Sequence, residues 1–175
     1  MPSRIRLADY IRCIPDFPKP GIVFRDITPL LASPEAFAEA IDQLAEASRG
    51  QRIDLVAAAE ARGFIFAAPL AIKLGAGLVP IRKPGKLPAK CLSHSYELEY
   101  GTDTLQIHAD GIATGAQVLV VDDLLATGGT IDACCRLVEK AGGKVVGCAF
   151  VIELVGLGGA KKIDRYRTTS LLKYE

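Results

Sequence analysis

The chain has 175 residues, half of them hydrophobic and 23% charged, which is enough to bury a core and too apolar for a disordered segment. A net charge of +1 disfavours partners held by bulk charge, so neither nucleic acid nor an anionic membrane surface is expected. No apolar run approaches the roughly 18 residues of a spanning helix, and the opening MPSRIRLADY carries neither an apolar h-region nor a cleavage pattern. The five cysteines, Cys13, Cys91, Cys134, Cys135 and Cys148, are odd in number and form no Cys-x-x-Cys, so a disulfide framework or a zinc site is not expected. Thiols in a reducing cytosol fit better, and a cytoplasmic protein is expected. His94 and His108 lie far from any cysteine at ligand spacing.

Leu7, Tyr10 and Ile11 share one face of a short N-terminal helix that Pro15 closes. Residues 16–21, Asp-Phe-Pro-Lys-Pro-Gly, are rigid irregular chain, followed by a short apolar edge at 22–24 and then Arg25-Asp26-Ile27-Thr28-Pro29. Phe24 is either a core residue or a platform for a flat heterocycle. Ser33-Pro34-Glu35 is a helix start, with a hydroxyl cap, proline at the first position and an acid in the first turn. Phe37, Ile41, Leu44 and Ala45 form its buried stripe, and Gly50 ends it.

Residues 53–59 read as a strand. Glu60-Ala61-Arg62-Gly63 then leads into a helix carrying Phe64, Ile65, Phe66, Leu70 and Ile72, apolar enough to be covered on most sides, with a kink or shortened first turn expected at Pro69. The strand-to-helix turn can hold an anion on free amides, with Arg62 as a bidentate donor, or can be a salt-bridging loop. After a short strand at 78–81, residues 82–95 read RKPGKLPAKCLSHS, a basic loop that suits a polyanion or is simply solvated. Alternation at 95–100, a turn at Gly101-Thr102 and inward Leu105 and Ile107 make a hairpin returning through 104–108.

Residues 118–130 read VLVVDDLLATGGT: an apolar strand at 118–121, an acid pair that ends it, a Thr-Gly-Gly-Thr turn, and a helix on which Ile131, Cys134, Cys135 and Val138 recur. Gly128 and Gly129 let the backbone approach a ligand, and the first-turn amides favour a phosphate, with Thr127 and Thr130 as further donors. Asp122 and Asp123 repel a phosphate but accept from hydroxyls, so a sugar phosphate satisfies both ends. The alternative is a plain strand-to-helix junction with solvated acids. A P-loop fails for want of Gly-Lys-Ser/Thr, and a dinucleotide fingerprint for want of its spaced glycines. Gly142-Gly143 ends the helix, 144–152 is a strand running to Glu153-Leu154, 156–163 a short helix or turn, and 168–172 a last strand. This order predicts an α/β domain around a parallel central sheet flanked by helices.

The stretch from Asp122 to Thr130 closely resembles the ribose-phosphate signature of the type I phosphoribosyltransferases. That resemblance implies that Asp122 and Asp123 hold the ribose hydroxyls while Ala126, Thr127, Gly128, Gly129 and Thr130 wrap the 5′-phosphate. Phe17-Pro18-Lys19-Pro20-Gly21-Ile22-Val23-Phe24-Arg25-Asp26 resembles the N-terminal hood of the adenine phosphoribosyltransferases. It implies that the backbone of Val23 and Arg25 reads adenine, with Phe24 on one side of the ring and Leu154 on the other. Glu60, Ala61 and Arg62 resemble the pyrophosphate loop, whose Glu60–Ala61 peptide is then expected to be cis, and Arg82, Lys83 and Lys86 resemble residues that reach pyrophosphate partly across a homodimer interface. Leu98-Glu99-Tyr100-Gly101 is similar to the family's flap, with Glu99 the implied proton-transfer group.

The resemblance spans nearly the whole chain. It implies one phosphoribosyltransferase domain over 1–175, with a hood at 1–33 and the basic loop and flap hairpin at 82–108. The implied reaction takes adenine and 5-phosphoribosyl-1-pyrophosphate to AMP and pyrophosphate with Mg²⁺ held mainly by substrate, so no tight metal site is expected in the free protein. A hypoxanthine, guanine or orotate transferase would share the core, but the hood and the Leu-Leu-Ala after the acids favour adenine. A nucleic-acid-binding regulator of the same fold is disfavoured by the near-neutral charge and the lack of a helix-turn-helix extension.

Overall fold

The computed structural model describes residues 5–98 and 101–175. The chain divides into two compact units, Met1–Gln43 and Leu44–Glu175. In the first, a 3-10 turn over Leu7–Tyr10 buries Leu7 and gives way to strand β1 (Arg12–Pro15), which pairs antiparallel with β2 (Val23–Asp26). The expected helix up to Pro15 is therefore corrected. Pairing with β2 extends residues 12–15, and Arg12 opposite Asp26 clasps its carboxylate at 2.6 Å. The loop between the strands closes when the Gly21 N–H donates to Asp16 Oδ1 at 2.7 Å, and the Phe17–Pro18 peptide is cis.

Asp26 also starts a short helix α1 (Thr28–Ala32), which sequence reasoning missed. The Thr28 N–H and hydroxyl donate to its two carboxylate oxygens at 2.9 and 2.8 Å. The Thr28 N–H holds this carboxyl below its ordinary range against the opposing effect of burial, and Arg12 adds to the shift. Helix α2 (Pro34–Ala47) begins as expected, with the Ala36 N–H donating to Ser33 Oγ at 3.2 Å. Its buried positions are Ala36, Ala40, Ile41 and Leu44, while Phe37 and Ala45 are half-buried.

The second unit is built on a five-stranded parallel sheet. In chain order come β3 (Leu55–Ala59), α3 (Arg62–Leu74), β4 (Gly77–Ile81), the antiparallel hairpin of β5 (Cys91–Glu97) and β6 (Thr102–His108), then β7 (Gln117–Leu125), α4 (Gly129–Lys140), β8 (Lys144–Leu154), α5 (Gly159–Lys162) and β9 (Thr168–Tyr174). The strand order is β4-β3-β7-β8-β9, all neighbours parallel. From β3 the chain moves outward to β4, whereas from β7 it moves the other way to β8. Right-handed crossovers then put α3 and α4 on opposite faces, and a crevice opens between the carboxyl ends of β3 and β7.

On the α4 face, Val118 and Val120 of β7 meet Cys134, Cys135, Leu137 and Val138 of α4, with Leu105 and Ile107 of β6 in the same buried cluster. Each such side chain contributes about 1.5–3 kcal/mol by leaving water. The expected inward Leu105 and Ile107 are thus the hairpin's anchor. Helix α4 ends as its glycines dictate, with Gly142 at φ +93° and the Gly143 N–H returning to the Val138 carbonyl at 2.9 Å.

Three expectations are corrected here. The acids do not end the central strand: β7 continues to Leu125, because Leu124 and Leu125 find partners in Ile152 and Glu153 of the long strand β8. The basic loop is shorter than residues 82–95, because β5 begins at Cys91 and pairs with β6 as far as His108. Helix α3 runs unbroken past Pro69 but is not covered on most sides, for Ile72 is 83% exposed and Ile65 is exposed on the same helix. Among the described residues no helix is long and apolar enough to cross a membrane, and all five cysteines are free thiols.

Candidate functional site

At the crevice between β3 and β7, Arg62, Asp122, Asp123, Ala126, Thr127, Gly128, Gly129 and Thr130 line one cavity of about 170 Å³, together with Leu124, Leu125 and Ile131. The expected sugar-phosphate residues are therefore contiguous in space as well as in sequence. Gly128 has φ +81°, a backbone state that costs a side chain but not glycine, and it caps α4. The loop's floor is backbone against backbone: a Cβ on Gly128 would stand 2.7 Å from the Gly159 carbonyl oxygen. A Cβ on Gly159 would in turn strike the Ala126 carbonyl and lie 3.0 Å from the Gly128 nitrogen. Gly159 is a supporting residue that sequence reading missed, since nothing in a Gly-Gly pair shows what packs on it.

The acid pair is not symmetric. Asp123 is buried and bound to Arg62 Nε at 2.8 Å. Asp122 accepts the Asp123 N–H on Oδ1 at 2.8 Å. Burial pushes the Asp122 carboxyl well above the ordinary carboxylate range, and the neighbouring Asp123 charge pushes it further the same way. Asp123 is thus engaged by a guanidinium, while Asp122 has only a backbone N–H on one carboxylate oxygen. Gly63, at the start of α3, leaves room for this: a Cβ there would stand 3.1 Å from Asp122 Oδ1.

Arg62 was grouped by motif with Glu60, Ala61, Arg82, Lys83 and Lys86, yet it stands in the wall of the β7 cavity. The others form a second cluster. The Glu60–Ala61 peptide is cis, as the resemblance implied, and Ala61 is the exposed residue preceding α3. Glu60 accepts the Lys83 N–H at 2.7 Å and Arg82 Nη2 at 3.1 Å, and the Lys83 N–H holds its carboxyl below the ordinary range, with burial opposing and Arg82 assisting. Lys83 Nζ pairs with Asp103 Oδ2 at 3.0 Å, which lowers the Asp103 carboxyl and raises the Lys83 ammonium. Arg82 is anchored by reciprocal backbone bonds to Gln106, while its Nε is buried without an acceptor among the described residues. Lys86 is exposed, and its carbonyl lies 3.5 Å from Arg82 Nη1.

The hairpin reaches the phosphate-loop side as well. The Tyr96 hydroxyl is 3.2 Å from Thr130 Oγ1, and Lys140 Nζ donates to the Ser93 carbonyl at 3.0 Å. Tyr96 and Asp103 were not singled out from sequence, where one looks like strand patterning and the other like turn polarity. Glu99 and Tyr100 lie outside the described residues.

In the first unit, Val23 and Arg25 belong to β2, with Val23 exposed and Phe24 half-buried. Phe24 meets the Phe17 ring edge-to-face at 5.2 Å, and Arg25 Nη1 donates to Cys13 Sγ at 2.6 Å. Leu154, in the second unit, is half-buried at the carboxyl end of β8. Among the described residues, no three His, Cys, Asp or Glu side chains converge as metal ligands.

A model of the phosphoribosyl transferase domain matches residues 26–172. The chain is 60% identical over 168 residues to an adenine phosphoribosyltransferase of Rhodopirellula baltica, covering 96% of this chain and 82% of that protein. Its fold matches the crystal structure of an adenine phosphoribosyltransferase from Thermoanaerobacter pseudethanolicus with a TM-score of 0.93 at 57% identity, covering 96% and 98% of the two chains. It also matches the Saccharomyces cerevisiae adenine phosphoribosyltransferase complexed with an imino-altritol bisphosphate and adenine, with a TM-score of 0.89 at 39% identity over 95% and 96% of the chains.

Proposed function

The chain belongs to the phosphoribosyl transferase family, among its adenine phosphoribosyltransferases, and from that premise we propose how its residues carry the purine-salvage transfer. The reaction joins N9 of adenine to the ribosyl 5-phosphate of 5-phosphoribosyl-1-pyrophosphate, giving AMP and releasing pyrophosphate. The carrying observation is the single cavity in which a glycine turn, the start of α4, and the Asp122–Asp123 pair are all within reach of one sugar phosphate. Gly128 to Thr130 receive the 5′-phosphate on amides and a hydroxyl, with Ala126 and Thr127 completing the loop. Asp122 and Asp123 hold the 2′- and 3′-hydroxyls, which their carboxylate oxygens can accept from.

Bond cleavage leaves an oxocarbenium-like ribose and puts charge on the departing pyrophosphate, so positioning and charge stabilisation are the catalytic tasks. Arg82, Lys83 and Lys86 meet that charge, with Glu60 holding the start of their loop, and Arg62 stands between the two anionic ends. The unsaturated Arg82 guanidinium supports this assignment. The two carboxylates offer hard oxygens that fit a magnesium ion bound largely by substrate oxygens and water. When bound, the ion supplies positive charge to the pyrophosphate oxygens. The outer edge of β2, not used by β1, offers backbone groups that suit the adenine edge at Val23 and Arg25, and Phe24 offers its ring. Glu99, beside Tyr100 in the sequence, manages the purine proton.

The exposed Ile65 and Ile72 of α3 and Leu78 of the edge strand β4 support a homodimer, because a second copy would cover an apolar face that one chain leaves open. The free thiols support a cytoplasmic setting. Pyrophosphate release assayed in parallel with adenine, hypoxanthine, guanine and orotate tests the base assignment; release with adenine alone is expected, and equal release with hypoxanthine would reject it. Glu99→Gln is expected to lower turnover by about 10²-fold or more with AMP binding nearly intact, and an unchanged rate would remove Glu99 from the mechanism.

A further inference from the structure

We propose that Lys162 is a further 5′-phosphate-binding residue, carried to the rim of the phosphate loop by the Gly158-Gly159 turn. This rests on the sugar-phosphate reading of the β7 cavity. Lys162 is the last residue of α5, exposed, and its Nζ lies 3.8 Å from the position of a Cβ on Gly129, the first residue of α4. Its ammonium therefore hangs beside the helix end where the dipole and open amides favour an anion. No hydrogen bond or ion pair engages Lys162 among the described residues, whereas Lys83 and Lys173 are paired with acids.

Two further observations fix its place and its charge. Gly159, three residues earlier, is interlocked with Gly128 and Ala126 backbone to backbone, so the start of α5 cannot drift from the loop. The acid in the first turn of α4, Asp132, is already held by Arg136 at 2.8 Å and Arg165 at 2.6 Å. It neither captures Lys162 nor leaves an uncompensated charge to repel phosphate. The ammonium is a point charge on a flexible stem, suited to a phosphate that arrives and leaves each turnover.

Titration calorimetry with AMP and with adenosine, on the wild type, Lys162→Ala and Lys162→Arg, tests this. Lys162→Ala is expected to weaken AMP roughly tenfold, as for loss of a charge-assisted contact, and to leave adenosine unchanged, while Lys162→Arg keeps most of the AMP affinity. The KM for the ribosyl donor should rise in parallel with little change in kcat. Unchanged AMP affinity in Lys162→Ala overturns the proposal, as does an equal loss for AMP and adenosine, which would mark a structural role. Wild-type protein that binds AMP no better than adenosine would overturn the phosphate-site reading beneath it, a result visible before any variant is made.

Discussion

The phosphate loop of residues 126–130 and the basic cluster of Glu60, Arg82, Lys83 and Asp103 both belong to the second unit, but they treat their polar groups differently. The loop is one stretch of chain that lines a cavity and whose shape is fixed by close backbone packing on Gly159. The cluster draws on three separated segments, and its charged groups are largely engaged with one another: Glu60 with Arg82 and the Lys83 N–H, Lys83 with Asp103. The first region is preorganised by sterics and open to an anion. The second is held by exchangeable ion pairs, which an anion must share or displace.

Substitutions that attack each mode separately break the comparison. The largest effect is expected for Gly159→Ala, whose methyl group would meet the Ala126 carbonyl, and Leu125 Cδ1 at 2.9 Å. Overpacking of this kind costs about 1–3 kcal/mol of stability, and displacing the loop should cost on the order of 10²-fold in kcat/KM for the ribosyl donor. Urea unfolding and steady-state kinetics read both, and wild-type kinetics would show that the loop does not depend on this contact.

Next comes Asp122→Asn, which separates charge from shape inside the open region. A raised carboxyl pKa means that ionising the unfolded chain above its usual 3.8 draws stability from the native state as pH rises toward the folded value; the loss is then constant. The variant, with nothing to ionise, should melt on the order of a few degrees above wild type near pH 8. The gap should close below pH 3.8. A gap that widens on acidification would mean that Asp122 is stabilised as an anion instead. Carboxyls held low, such as Glu60 and Asp103, act in the opposite sense: their contribution is present above the ordinary carboxylate range and is lost as pH falls through their lowered values.

On the self-paired side, Asp103→Asn releases Lys83. Exposed ion pairs are weak, so pyrophosphate inhibition should tighten only about threefold, and Lys83→Met should abolish the gain. Weaker inhibition in Asp103→Asn would show that the pair positions Lys83 rather than occupying it. The smallest effect is expected for Tyr96→Phe, which removes the hydroxyl shared with Thr130 across 3.2 Å. A twofold to threefold rise in donor KM at constant kcat, near the worth of one hydrogen bond, would show the hairpin supporting the loop.

How much of the site was legible follows the same division. Asp122 to Thr130 could be read because strand, acids, turn and helix are adjacent in sequence, and each step has a local cause: an apolar run, like charges, a positive φ, open amides. The cis Glu60–Ala61 peptide and the inward Leu105 and Ile107 also emerged as expected. Arg62 is grouped with the pyrophosphate loop by its motif, and although a salt-bridging loop is an open alternative for that turn, sequence could not say that its partner would be Asp123. Tyr96, Asp103 and Gly159 were missed because their partners lie 34, 20 and more than 30 residues away, respectively. The strand at 12–15 was missed because it is held by pairing with β2 and by side-chain contacts such as Arg12–Asp26, with partners more than ten residues away.

By itself the sequence determined the alternation of strands and helices, the parallel sheet, and a phosphate-loop motif, since these depend on side-chain period and on interactions a few residues long. Tertiary structure alone decided that β7 would run on through its acids, that Asp122 and Asp123 would have different partners, and that the cations would divide between ion pairs and an open rim. Those outcomes depend on burial and on Coulomb partners brought within about 3 Å by the fold, quantities that no local pattern encodes.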